Sequence, residues 1–111
     1  TNAEALLVSG CELARENWED FQRELNWTAE TPERIFCHQV GSMHRRAVYQ
    51  SLALDMNKDF STFEVLGNVG SVSLPITLAI ACDQGLVAKG DNIAMLGIGS
   101  GINSIMLGVE W

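Results

Sequence analysis

The last stretch of the chain, NIAMLGIGSGINSIMLGVEW at residues 92–111, sets two apolar runs on either side of a glycine- and serine-rich turn. Short continuous apolar runs bounded by turn signals read as buried strands, and two of them joined by such a turn read as a hairpin. The GIGSG segment has a superficial likeness to a dinucleotide-binding fingerprint, but that motif works only where a helix follows its glycines. Here INSIMLGVEW carries Ile, Met and Val in a strand-like pattern, so the nucleotide reading fails. A buried hairpin needs layers of protein over it, and the upstream sequence has to supply them.

Residues 2–25 place Leu6, Leu7, Cys11, Leu13, Ala14, Trp18, Phe21 and Leu25 at helical spacing, with Gly10 as a weak point or a join between two segments. NWTAETPE is a loop broken by Pro32, and RIFCHQ, from Arg34, is a short buried strand. Ser42 reads as the cap of a second helix over about 43–54. FSTFEVLG, residues 60–67, reads as a strand or extended segment, NVGSVS as a tight loop, and Pro75 as the start of a helix over 75–84. The order helix, strand, helix, strand, helix, strand, strand predicts one α/β layered domain, its largely parallel sheet closed by the terminal hairpin.

Composition narrows the function classes. With 7 basic and 14 acidic side chains the formal net charge is −7, which argues against a nucleic-acid or anionic-membrane binder. Much of the acid lies between Glu12 and Glu33 and reads as a solvated helix face. Apolar residues make up 47% of the 111, enough for a core, while the charged fraction is only 19% and suggests a surface partly covered by other protein. Cys11, Cys37 and Cys82 are odd in number, widely spaced and free of any CxxC, so neither a disulfide framework nor a zinc site is expected and a cytoplasmic compartment is the simplest. No apolar run reaches membrane-spanning length. The chain opens without Met on a helix-like sequence, which points to a fragment.

Small-residue loops follow three of the strand-like segments: HQVG, GNVGS and GIGSG. In an open α/β sheet, ligands bind outside the carboxyl ends of the strands, where three such loops can converge. His38 would bring an imidazole, Asn68 an amide, and the glycine loop free backbone N–H groups, a set of donors suited to a developing oxyanion. Each loop also has a plainer reading. A lone buried histidine is ordinarily a satisfied core group, an asparagine after glycine a turn residue, and the glycine loop a hairpin turn. His44, beside Arg45 and Arg46, reads as a surface residue or a contact for an acidic partner or a CoA phosphate.

Taken together, HQVG…GNVGSVSLP…GIGSGINSIMLGVEW resembles the C-terminal part of the β-ketoacyl synthase III group of the thiolase superfamily. His38 and Asn68 stand 30 residues apart, and Asn68 and Ser100 stand 32 apart, as in that group. The resemblance runs from about Arg34 to Trp111 and implies a thiolase-like layered fold, here its C-terminal half. It further implies Claisen condensation of acyl thioesters by a Cys-His-Asn site. His38 and Asn68 would be its catalytic pair, and the backbone N–H of Ser100 would complete an oxyanion hole. The nucleophilic cysteine would come from an N-terminal half that this chain lacks. Cys37 adjoins His38 and, on a strand, would face the other way.

HQVG and GNVG depart from the His-Gln-Ala-Asn and Gly-Asn-Thr-Ser usual in the group. They are closer to head-to-head condensing thiolases of bacterial olefin biosynthesis, which join two acyl-CoA molecules into a β-keto acyl product. That reading implies acyl-CoA or acyl-carrier-protein substrates, no cofactor, and a homodimer in the cytoplasm. Gly41 and Gly70 would leave room beside His38 and Asn68 for a second acyl chain. The alternatives are an ordinary synthase III condensing acyl-CoA with malonyl-carrier protein in fatty-acid initiation, and a non-catalytic dimerisation fragment. No carboxylate in the chain stands out as the α-proton base; Glu64 is nearest to the asparagine loop but reads as a strand residue facing solvent or packing.

Overall fold

The structure, a computed structural model, describes residues 2–39, 41–99 and 103–111. It runs α1 (Asn2–Leu25), β1 (Arg34–Cys37), α2 (Ser42–Leu52), α3 (Phe63–Leu66), α4 (Ser73–Asp83), β2 (Asn92–Gly99) and β3 (Asn103–Glu110), with single 3₁₀ turns at Met56–Lys58 and Gly70–Val72. The sheet order is β1-β2-β3. β1 pairs parallel with β2, Ile35 opposite Ala94, and β2 pairs antiparallel with β3, Leu96 opposite Met106. The expected terminal hairpin is therefore present, and the sheet is mixed.

Side-chain alternation along the strands divides the core into two layers. Ile35 and Cys37 of β1 and Ala94 and Leu96 of β2 pack against Ala14, Trp18 and Phe21 of α1 and Tyr49 and Leu52 of α2. Phe36 and Ile93 face the other way, against Ala81, Leu74 and Leu78 of α4. Aromatic contacts close the first layer: Trp18 stacks on Phe21 at 5.2 Å between ring centroids, and Trp27 meets Phe21 edge-on at 5.5 Å. The end of α1 crosses β3 closely at position 108; a Cβ there would run into Leu25 Cδ1 and stand 2.9 Å from the Trp27 ring, so either would have to shift. The acidic side chains Glu12, Glu16, Glu19, Asp20, Glu24, Glu30 and Glu33 are all exposed, as a solvated face requires.

Three expectations are corrected. Gly10 is buried within a continuous helix and marks no join. Ser42 is the first residue of α2 and makes no capping bond; Gly41 precedes it with φ 130° and ψ 159°. Residues 60–67 are not a strand. Only a single parallel bridge, Ile35 with Asp59, remains of the expected pairing, and Phe63–Leu66 is a short helix. The reason is local. The Ser61 hydroxyl accepts from Phe63 N–H at 3.2 Å and donates to Glu64 Oε2 at 3.1 Å, and Gly67 closes the turn with φ 65°. The bonded Ser61 and Glu64 side chains, three positions apart, are a local signal that outweighs the β-leaning Phe and Val.

Candidate active site

β1 and β2 are parallel, so their carboxyl ends lie at one edge of the sheet, and His38 is the first residue beyond β1 there. Its N–H donates to the Leu96 carbonyl at 3.0 Å, extending the ladder by one bond after the strand ends. The side chain is half-buried. It borders a cleft of about 330 Å³ lined also by Gln39, Arg45, Ser61, Phe63 and Glu64, and a narrow crevice of about 30 Å³ shared with His44, Arg45 and Ser104. Burial holds the His38 imidazole below its ordinary pKa, so the ring is neutral at pH 7 and carries one N–H to donate.

Asn68 lies at the exposed turn between α3 and the Gly70–Val72 turn. Its Oδ1 accepts from Gly70 N–H at 2.9 Å and from the Ser73 hydroxyl at 3.5 Å. The acceptor end of the amide is thereby engaged. The Nδ2 donor has no protein partner among the described residues. His38 and Asn68 make no direct hydrogen bond among the described residues. Ser100, the expected third contributor, lies outside the described residues, as does Val40 of the HQVG loop.

Cys37 is the wrong cysteine for a nucleophile, and burial is the main reason. Burial pushes its thiol up to about 12, with only partial relief from the Tyr49 hydroxyl at 3.7 Å. Cys11 and Cys82 are free, partly covered residues of α1 and α4.

Four residues around the cleft gain roles that were not legible in the sequence. Tyr49 donates to Asp59 Oδ1 at 2.6 Å, and Arg45 pairs with Asp59 Oδ2 at 3.4 Å and Glu64 Oε1 at 3.6 Å. Burial raises the Asp59 carboxyl, opposed by the Tyr49 bond and the Arg45 charge. Glu64 sits on α3 rather than a strand. A bond from its own backbone and one from Ser61 keep its carboxyl below the usual range, which makes it a weak base despite its place in the cleft. His44 is not a plain surface residue either: Nε2 is buried with no hydrogen-bond partner among the described residues. Burial, then the neighbouring His38, lowers its pKa.

Gly41 and Gly70 both have positive φ, 130° and 70°. A Cβ at Gly70 would meet nothing within 4 Å, and one at Gly41 would stand 3.9 Å from the Phe63 ring. Space is available at both, but the backbone conformation by itself demands glycine, most strictly at Gly41.

Comparison with known proteins places the chain in a family. Residues 23–111 match the family model described as 3-oxoacyl-(acyl-carrier-protein) synthase III C terminal. The chain is 47% identical to an acyl-CoA:acyl-CoA alkyltransferase of Shewanella oneidensis, over all of this chain and 32% of that protein. It is 32% identical, over 69% of its length and 23% of the relative, to a beta-ketoacyl-(acyl-carrier-protein) synthase III of Clostridium tetani. Among solved structures, a variant of Xanthomonas campestris OleA with bound lauric acid and lauroyl-CoA superposes with a TM-score of 0.94 at 37% identity, covering all of this chain and 33% of that one. The chain thus spans about a third of the length of the alkyltransferase it matches.

Proposed function

The chain belongs to the synthase III C-terminal family, and on that premise we propose that it is the C-terminal domain, residues 1–111, of an enzyme that condenses two acyl-CoA molecules to a β-keto acyl product. The observation that carries the proposal is the pair of prepared donors. His38 is kept neutral at the carboxyl end of β1, and Asn68 has its carbonyl oxygen engaged and its amide N–H₂ without a protein partner among the described residues. A thioester whose α-carbon loses a proton develops negative charge on its carbonyl oxygen. His38 and Asn68 would donate to that oxygen, stabilising the enolate more than the neutral thioester.

The carbanion then attacks the carbonyl of an acylated cysteine. A C–C bond forms, the C–S bond breaks, and the thiolate leaves. That cysteine is assigned to the N-terminal part of the same enzyme. The proton from the α-carbon is assigned to a base outside this chain, in the N-terminal part or a second subunit; the exposed Glu64 carboxyl, its pKa lowered by its own backbone and by Ser61, is the poorer choice. The Ser100 N–H is assigned to the oxygen of the acylated cysteine. The chemistry calls on no cofactor, and a cytoplasmic homodimer suits the CoA substrates and the three free thiols.

A second reading, extension of one acyl-CoA with malonyl-carrier protein, is favoured by the Clostridium tetani relative. Full-length enzyme given long-chain acyl-CoA alone decides between them. A β-keto acid or its ketone breakdown product is expected, and turnover only on addition of malonyl-carrier protein would establish the second reading instead.

A further inference from the structure

Gln39 stands directly after His38 and is only 2% exposed. Its side chain folds back over His38, and Nε2 donates to the Cys37 carbonyl at 2.8 Å. The peptide before His38 is thus tied by Gln39, while the N–H of His38 itself is tied to Leu96. The other end of the amide reaches across the cleft wall: Oε1 accepts from Thr62 N–H at 3.0 Å and lies 2.9 Å from the Ser61 hydroxyl oxygen.

Thr62 carries the connection onward. Its hydroxyl lies 2.7 Å from the Thr77 hydroxyl, both residues being buried. The Thr77 hydroxyl donates its one proton to the Ser73 carbonyl at 2.7 Å, so the Thr62 hydroxyl must be the donor between the two. Ser73 in turn accepts from Val69 N–H at 2.9 Å and donates to Asn68 Oδ1. Hydrogen bonds linked through Thr62 and Ser73, the last of them long at 3.5 Å, therefore connect the peptide before His38 to the side chain of Asn68, although the two residues make no direct hydrogen bond among the described residues.

We propose that Gln39 is a positioning residue whose amide, through Thr62, Thr77 and Ser73, sets the separation of the His38 and Asn68 donors at one substrate oxygen. This rests on the condensing role assigned above to those two residues. Two donors shared by one oxyanion must be held to a few tenths of an ångström, and loops on different elements do not hold such a distance without a tie. Buried amide–backbone bonds suit the task, because an unmade one is costly and the pairing is directional.

The test uses the full-length enzyme, with rapid-quench measurement of cysteine loading beside product formation. Gln39→Met keeps the length and burial but removes both ends of the tie. Condensation is expected to fall about tenfold to a hundredfold with loading changed less than about threefold. Gln39→Glu adds a signature that packing alone would not give. A protonated carboxyl can donate to the Cys37 carbonyl and a carboxylate cannot, so its condensation rate relative to wild type should recover as pH falls from 8 to 6, while that of Gln39→Met stays flat. If Gln39→Met does not fold, Thr62→Val breaks the path in its middle and Thr62→Ser should restore it. Loading and condensation lost equally in a folded variant, or no pH-dependent recovery in Gln39→Glu, would overturn the positioning role. Wild-type enzyme that fails to condense would overturn the assigned function instead, whatever Gln39 does.

Discussion

The two shoulders of the site are built differently. On the His38 side, Tyr49, Asp59, Arg45 and Gln39 form a dense polar layer over the sheet edge; the Asp59 side chain is 4% exposed and has both oxygens engaged. On the Asn68 side, α3 and the start of α4 present Val65, Leu66, Val69, Val72 and Ile76 to solvent, with Val65 at 86%. One shoulder is largely tied up by polar contacts within this chain. The other offers a run of exposed apolar side chains larger than isolated surface residues normally make, and such a surface calls for a cover. The contrast teaches that the backbone at His38 is tied to buried parts of this domain, through Leu96 and Gln39, whereas the Asn68 amide is held at its acceptor end by Gly70 and Ser73 of its own exposed turn.

The sharpest way to break that contrast is to remove each donor in the full-length enzyme. His38→Ala and Asn68→Ala should each slow condensation on the order of a hundred- to a thousandfold, with loading of the nucleophile much less affected. Rapid-quench comparison of the two steps checks this, and equal loss in both would show that the shoulders do not serve the same oxygen.

Stability should separate the shoulders next. Tyr49→Phe leaves buried Asp59 without its 2.6 Å donor and should cost about 1–3 kcal/mol in urea unfolding. Val65→Ala, measured on residues 1–111 alone, should stay within about 0.5 kcal/mol. A large effect at Val65 would mean that the apolar shoulder is already covered.

That same surface should make the 111-residue chain associate at micromolar concentrations, as seen by light scattering, and Val65→Lys with Val72→Lys should reduce the association. A monomer before substitution would count against an unfinished shoulder.

The smallest effect concerns pH. His38 and His44 both have folded pKa values lowered from 6.5, His38 by burial and His44 by burial and then by His38. Between 6.5 and the lower folded values the unfolded chain binds more protons, so stability is held in full above 6.5 and lost as pH falls through the folded values. His44→Gln should flatten the fall in urea midpoint between pH 8 and 5.5; an unchanged slope would remove His44 from the account.

Periodicity along the chain was enough to locate α1, β1, α4 and the closing hairpin, because a helix or strand face is written every few residues in its own segment. The small-residue loops likewise raised His38 and Asn68 as candidates, and their backbone positions, beyond a strand end and at a glycine turn, follow from the neighbouring residues. The short helix at Phe63–Leu66 was legible too, in the Ser61 and Glu64 spacing, but strand-forming residues masked it. What tertiary structure alone decided is which polar groups meet. Gln39 finds Thr62 across 23 positions, Tyr49 finds Asp59 across 10, and the burial of Cys37 and His44 depends on α1, α2 and the sheet closing together. A hydrogen bond has a range of about 3 Å in space and none along the sequence, so its partner is fixed only when the apolar layers have packed and brought the two elements side by side.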